Sequence, residues 1–597
     1  MKICDIYDGE MYHKLMNHTD PFEKISLTFN CNGVPIFKSS SCAIWPILCT
    51  VNELPPQLRK KHVLLASLWF GSSKPSMDTY FEPFVADMIK LNDVGFTWMH
   101  KNTLMKTRVQ VLIGVCDTVA RPLLQNCKQF NGEYGCGFCL DPGVRTGIRN
   151  TRVYPYQQHS VLRTHESTKD FSEQAFEQNC SIMGVKGPSI LFLLPQFDII
   201  EGIVPDYMHS VLLGVTRQLA TLWFDSKNNK EQFYLGGDIS KIDAELLSIK
   251  PPCNISRLTR SLILRKFWKA HEWFTWLLYY SPIILKNYLP IMHFNHFSLL
   301  VEGISVLLSD NVSRETVAHS HRMLTQFVVD VENLYGLQNI SFNMHLCLHL
   351  ARSVLNWGPL WTHSAFVFES YNAELFQMFK GTQGVPLQIC KTFALHRSLP
   401  SLANIFAAGG TAEYSSLLNS FISRSQKIEH ALNIKGVTIL GRPVIRLLTA
   451  RHNLALHSVS NVVNQQTVVR YFNRIVINGE IVHSSFYCRK LKRNSYVVDL
   501  NDSKLFSIET FVVADLNGDG DNCYAIGNFF TMVASPIVGK NNAQEAKLKH
   551  IVAVSKQINQ LVAIEAASIR QKCIFITFRR CATDFVCRQM SKNEYCA

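Results

Sequence analysis

Five groups of residues have types and spacings that can do chemistry. Asp117 stands just past an apolar run of strand length, Val109 to Val115. A strand that delivers a carboxylate to its end, ahead of a helix, is a common way to build a metal-dependent site. Cys136-Gly-Phe-Cys139 is a knuckle that can present two thiolates to one metal ion. Asp206-Tyr-Met-His209 sets a carboxylate and an imidazole three apart, on one face of a helix. His345 and His349, four apart, share a face in the same way, and Glu369 opens a helical stretch, Glu369–Lys380, after an aromatic run. Each has a plainer reading. Asp117 and Asp206 can be helix N-caps, and Glu369 can be a first-turn acid favoured by the helix dipole. The histidine pair lacks the glutamate of a zinc-protease helix, so that enzyme class is not supported.

Downstream of the knuckle stand His159 and His165. Two thiolates and two imidazoles suit tetrahedral zinc, so Cys136, Cys139, His159 and His165 are the expected structural Zn2+ ligands. The alternative is a pair of buried thiols and two surface histidines. Asp515 to Asp521 begins like a calcium loop, but position twelve is Ile526 where a glutamate is required, and the stretch reads as a turn.

The elements that must position these groups follow an α/β order. Ile25–Asn32 reads as a strand closed by a turn at Gly33; Ser41–Val51 and His62–Phe70 are two more strands. Tyr80–Leu91 has the spacing of an amphipathic helix, ahead of the strand that ends at Asp117. A further helix starts near Ala120-Arg121-Pro122, since proline suits a first helical turn. Residues 142–190 are polar and loop-rich, and residues 190–355 carry apolar patches at helical spacing. From about 435 to 535 the chain alternates like strands, with Asn478-Gly479 as a hairpin turn. Residues 541–565 read as a basic helix, followed by a Cys-bearing tail.

The totals set bounds. A chain of 597 residues needs two to four domains. A hydrophobic content of 47% with 37 Phe is ample for burial and argues against general disorder. A formal net charge of +14 favours polyanionic partners such as nucleic acid. The most membrane-like run, Trp273–Leu285, is broken by Pro282 and shorter than the roughly 20 residues of a bilayer span. It reads as a buried helix, and no membrane partner is expected. With no apolar signal core at the N-terminus, the 18 Cys read as reduced thiols of a cytosolic or nuclear protein.

Several blocks occur in series: Ser26-Leu-Thr-Phe-Asn-Cys-Asn-Gly-Val-Pro-Ile-Phe-Lys-Ser-Ser40, Ile44-Trp-Pro-Ile47, Asn52-Glu-Leu-Pro55, the Asp117 strand, Cys136-Gly-Phe-Cys139, Asp206-Tyr-Met-His209, and Trp357-Gly-Pro359 followed by Phe368-Glu369. Over about residues 20–400 the chain resembles the transposases of CACTA-type (En/Spm-like) DNA transposons in their animal form. The resemblance implies an α/β RNase H-like core with a large, mainly helical insertion, and an Asp/Asp/Glu site holding Mg2+ or Mn2+.

Mapped onto this chain, the second acid falls on Asp117 and the third on Glu369, while Asp206 and His209 match an Asp-x-x-His signature inside the insertion. At the first acid, relatives usually read Thr-Asp-Gly; this chain reads Cys31-Asn32-Gly33. Asn32 offers a neutral carbonyl where a hard dication prefers a carboxylate. The expected division is a polar lead (1–25), the first part of the core (26–141), the zinc knuckle and helical insertion (142–340), the last core helices (341–430), a small all-β domain (431–540), and a basic helix with tail (541–597). An N-terminal zinc-binding recognition region, which relatives often carry, is expected to be missing. The expected function is a nuclear, transposon-derived DNA-binding protein whose strand-cleaving and joining activity is impaired by Asn32. The alternative is an active Mg2+-dependent transposase. Homo-oligomer formation is left open.

Overall fold

From residue 23 to 31, apolar and polar side chains alternate, which puts Leu27, Phe29 and Cys31 on one face of a strand and Ser26, Thr28 and Asn30 on the other. The computed structural model describes residues 2–16, 23–37, 41–148, 150–409, 416–417, 430–460, 467–487, 492–516, 518–533, 537–540, 545–556, 561–578 and 583–590. In it this strand, β1 (Glu23–Cys31), is buried on both faces along most of its length. Its polar face is satisfied internally, as burial demands. Thr28 Oγ1 donates to Asn52 Oδ1 at 2.7 Å, and Asn52 Nδ2 donates to Ser26 Oγ at 3.0 Å. Asn30 Nδ2 donates to the Val115 carbonyl at 2.7 Å.

β1 pairs antiparallel with β2 (Ala43–Val51), which pairs antiparallel with β3 (Leu64–Gly71). Next comes helix α1 (Met77–Asp93), whose buried residues Met77, Tyr80, Phe81, Phe84, Val85 and Met88 recur at helical spacing. Phe29 of β1 meets Phe81 and Phe84 of α1, with ring centroids 5.8 and 6.1 Å apart. β4 (Phe96–His100) then turns through Lys101 and Asn102, both at positive φ, into the long β5 (Thr103–Cys116). Only the second half of β5 is apolar; the first half is paired by β4, and neither β4 nor that half has a run that marks a strand.

β5 lies parallel to β1, and a three-residue strand β6 (Ile203–Pro205) lies parallel to β5. The sheet therefore runs β3-β2-β1-β5-β6. Asp206 thus follows a strand of this sheet and does not lie inside a helical insertion. Between β5 and β6 come α2 (Ala120–Leu124), shorter than its proline start suggests, and α3 (His165–Glu177). After β6 the chain enters a π-helical segment, α4 (Met208–Thr216). Four later helices complete the surroundings of the sheet: α5 (Arg314–Tyr335), α6 (Phe342–Leu346), α7 (Leu350–Trp357) and α8 (Phe366–Leu375).

The polar lead expected over residues 1–25 is packed where it is described. Lys2–Ile3 pairs with Val312–Ser313, Ile6 is buried, and Asp5 and Arg59 form a buried ion pair at 2.7 Å. Ile3, Ile6, Tyr12 and Met16 supply the apolar anchors that the many polar neighbours conceal. Residues 17–22 lie outside the described residues.

The chain forms two compact units, Met1–Leu219 with Glu302–Arg424, and Ala220–Val301 with Ser425–Tyr595. Their boundaries lie away from the divisions expected near 142 and 341 and within a few residues of the one expected at 431. In the second unit, Ala270–Thr275, Trp276–Tyr280 and Ser281–Leu285 form a continuous, almost wholly buried helical stretch. Six strands close on themselves in the antiparallel order Leu505–Ala514, Val497–Leu500, Ile569–Ile576, Asp584–Arg588, Ile551–Lys556, Asn522–Met532 and back to Leu505–Ala514. Asn478 and Gly479, both at positive φ, make the hairpin turn between Arg474–Ile477 and Glu480–His483. The described part of the basic helix expected over 541–565 is instead strands, Glu545–Leu548, Ile551–Lys556 and Val562–Glu565, while 541–544 and 557–560 lie outside the described residues. Ala546 and Leu548 are buried while Glu545 and Lys547 are exposed, and that period of two belongs to a strand. Residues 591–597 of the Cys-bearing tail lie outside the described residues. No helix among the described residues is long and apolar enough to cross a membrane.

Candidate active site and metal centre

Parallel register brings three side chains to one edge of the sheet. Asn30 of β1 is level with Val115 of β5, and Pro205 of β6 is level with Cys116. Asn32, Asp117 and Asp206 therefore leave the C-terminal ends of three adjacent parallel strands side by side. Asn32 is buried, and its Oδ1 accepts the backbone N–H of Asp117 at 3.2 Å. That bond fixes the amide's orientation and leaves Nδ2 buried without a hydrogen-bond partner. Asp117 Oδ1 accepts the N–H groups of Val119 and Ala120 at 2.8 and 2.6 Å. One oxygen of Asp117 thus caps the entry to α2, as the plainer reading expects, while the other takes no hydrogen bond from the described residues.

Asp206 is fully committed to its neighbours. Its Oδ1 accepts the N–H of Ala365, the residue that starts α8, at 2.9 Å. Its Oδ2 accepts both the N–H of His209 at 3.0 Å and the His209 Nδ1 proton at 2.7 Å. Burial pushes this carboxyl up, but His209 and the two N–H donors outweigh it and hold the acid below its ordinary range. Burial alone lowers the His209 imidazole; Asp206 first, then Glu369 and Asp117, more than offset that and raise it to about 9. His209 is therefore a cation at neutral pH.

Glu369 sits in the first turn of α8, with its Oε1 4.0 Å from His209 Nε2. Partial desolvation raises its carboxyl, His209 opposes this, Asp206 and Asp117 add to it, and the Asn32 amide again lowers it. Glu369 thus feels the charge of Asp117, 252 positions earlier in the sequence.

A second centre lies beside α2. Cys136, Cys139, His345 and His349 offer four ligand atoms all within 4.8 Å of one another. Cys139 Sγ is 3.2 Å from His345 Nε2, Cys136 Sγ is 3.6 Å from His349 Nε2, and the two Nε2 atoms are 3.3 Å apart. Zn–S bonds of ~2.3 Å and Zn–N bonds of ~2.0 Å in a tetrahedron require ligand separations of about 3.3–3.8 Å. The donor set and spacing fit zinc. Burial lowers His349, which favours the neutral imidazole that ligates. Arg163 holds the knuckle by donating to the carbonyls of Cys136 and Cys139, at 2.9 and 3.2 Å. Asp141 Oδ2 stands 3.9 Å from His345 Nδ1 as an outer carboxylate. Arg121 of α2 lies over the rings of both Phe138 and Phe342 and ties the knuckle to α6.

The imidazoles of this centre are therefore His345 and His349, not His159 and His165. His159 is exposed, and His165 Nδ1 accepts the Ile199 N–H at 3.3 Å from the start of α3. The residues after the knuckle return to it at 161–163 without bringing a histidine, and His345 on α6 with His349 at the start of α7 supply the imidazoles. The sequence does carry the signal: a cysteine pair and a histidine pair at i and i+4, each short of a full ligand set. What hides the pairing is the 206-residue separation of Cys139 and His345. The metal would clamp the segment that follows the Asp117 strand to the helices that lead into Glu369.

Residues 8–184 match the family model described as transposase family tnp2. The matched segment carries Asn32, Asp117, Cys136 and Cys139, and the chain is in this respect a transposase-like protein. No curated protein matches the chain.

Proposed function

We propose that this chain is a transposon-derived DNA-binding protein of CACTA (En/Spm-like) type in its animal form, built on an RNase H-like core whose strand cleavage is impaired. The observation that carries the reading is the register that sets Asn32, Asp117 and Asp206 at adjacent strand ends, with Glu369 delivered beside them by α8. The mixed strand order β3-β2-β1-β5-β6 and the transposase family match support it.

Two Mg2+ or Mn2+ ions would polarise a phosphate and activate a hydroxyl nucleophile in such a site. The residues present do not fit that pair. Asp117 and Glu369 offer two carboxylates, Asp206 spends both oxygens on Ala365 and His209, and Asn32 turns an N–H2 donor toward Glu369. An amide N–H2, its lone pair delocalised into the carbonyl, does not ligate a dication, so the set is one carboxylate short. What remains is recognition. The imidazolium of His209, backed by Asp206, is a cation placed to meet a phosphate, and the net charge of +14 favours a polyanion. The second unit's closed β barrel is a further candidate surface, and the protein would act in the nucleus.

The test is binding of the full chain to double-stranded DNA, followed by anisotropy between 50 and 200 mM salt. Contacts to 6–10 phosphates predict an affinity loss on the order of 10³- to 10⁵-fold over that range. Salt-independent affinity, or none, would remove the DNA-binding reading.

A further inference from the structure

Cys253, in the second unit, sits in a polar nest that the proposed DNA function does not use. The loop that bears it is clamped from outside. Asn494 N–H donates to the Pro251 carbonyl at 3.2 Å, and Arg493 donates to the carbonyls of Pro252 and Ser256 at 3.0 and 3.1 Å. The Cys253 N–H donates to Ser495 Oγ at 3.0 Å. Around the sulfur stand three groups that stabilise a thiolate. Lys572 Nζ, on a side chain only 1% exposed, donates to Sγ at 3.3 Å. Ser495 lies against it. His483, itself 3% exposed, has a buried Nε2 with no conventional partner, and its ring bears on the Cys253 thiol. The other charge on Lys572 is Glu480, 3.9 Å away. Cys253 itself is partly exposed.

A buried lysine needs a counter-charge, and an anionic sulfur at 3.3 Å supplies it better than a carboxylate at 3.9 Å. Burial alone would raise the thiol, but His483, Lys572 and Ser495 hold it at about 6. We propose that Cys253 is a site of reversible thiolation by small disulfides that carry carboxylates, of the glutathione disulfide class. The Cys253 thiolate attacks one sulfur of the disulfide, a new S–S bond forms and the old one breaks. The second half leaves as a thiolate with the electron pair and takes its proton from solvent. Cys253 is oxidised, the departing sulfur is reduced, and no other oxidant is needed. The product has lost the sulfur's charge beside Lys572, which is why a carboxylate on the incoming group matters. A thiol reductant reverses the step.

The test exposes the reduced full-length chain to glutathione disulfide at pH 6 and pH 8 and follows each cysteine by peptide mass spectrometry. Cys180 and Cys390, both exposed, are internal controls. A thiolate's reactivity falls with its pKa, with a slope of about 0.4–0.5. Against ordinary thiols near 8.5, Cys253 should react about tenfold faster at pH 6 and about threefold slower at pH 8. Lys572→Met should cancel the lead at pH 6. If that variant does not fold, the wild-type inversion between the two pH values still decides. Cys253 trailing Cys180 and Cys390 at pH 6, or an unchanged ranking at both pH values, would overturn the proposal.

Discussion

The side-chain oxygen of Asn32 accepts the backbone N–H of Asp117 at 3.2 Å, and this one bond decides what Asn32 shows the site. With Oδ1 spent, the buried face left toward Glu369 is Nδ2, a donor without a partner. An aspartate at 32 would keep the bond and replace the stranded donor with an acceptor. Asn32→Asp should therefore create a cation site: 5 mM Mn2+ should raise the variant's Tm and leave the wild type almost unmoved. Saturation at 100 times Kd corresponds to about 2.7 kcal/mol. Equal shifts in both proteins would show that Asn32 does not limit metal binding.

The zinc assignment separates two pairs of histidines. Purified wild type should carry one zinc per chain by elemental analysis. His345→Ala or Cys139→Ser should lose it and unfold at lower temperature, since metal binding to such a site contributes directly to folding. His159→Ala and His165→Ala should retain full zinc content. Loss of zinc in either of these last two would return the site to the local arrangement.

Asp206 and His209 give stability a pH dependence with a definite sign. His209 is raised to about 9 in the fold from an ordinary ~6.5. Its contribution is fully present below about pH 6.5 and is lost as pH rises through about 9. The span corresponds to about 3 kcal/mol. Asp206 is held low, so its share is present above its ordinary range and is lost as pH falls through the lowered value. Urea denaturation of wild type at pH 6 and pH 10 should show the first drop, and His209→Gln should flatten it.

Much of this layout is legible in the chain because it rests on local periodicity. The strands read at Ile25–Asn32, Ser41–Val51 and His62–Phe70 and the helix at Tyr80–Leu91 lie within a few residues of β1, β2, β3 and α1. The approach of Asp117 to a strand end, the cysteine knuckle and the paired histidines are equally local. The rest depends on contacts between distant segments. β6 is only three residues long, too short for any period, so Asp206 could not be placed on the sheet from sequence. The zinc ligands pair across 206 residues, with nothing nearby to mark the partner. Lys547 and Lys549 suggest a basic helix until the alternation of Ala546 and Leu548 is weighed.

The N-terminal segment offers a stability prediction independent of function. Asp5 and Arg59 are both almost fully buried, and removing one partner leaves an uncompensated charge. Asp5→Ala should cost about 3–5 kcal/mol in a denaturation experiment. Asp502, exposed and paired to Lys504, should cost far less when changed in the same way.

The central claim is that one missing carboxylate at residue 32 separates this chain from a strand-cleaving enzyme. It is tested most directly by nicking of supercoiled plasmid DNA in Mn2+ by wild type and Asn32→Asp, with Asn32→Asp/Glu369→Gln as control. Loss of one metal-holding interaction of ~3 kcal/mol corresponds to about a hundredfold in rate. The account predicts wild type near background, Asn32→Asp faster by that order, and the double variant at background again. Robust nicking by wild type that Glu369→Gln abolishes would contradict it, because the site would then be complete with asparagine in place.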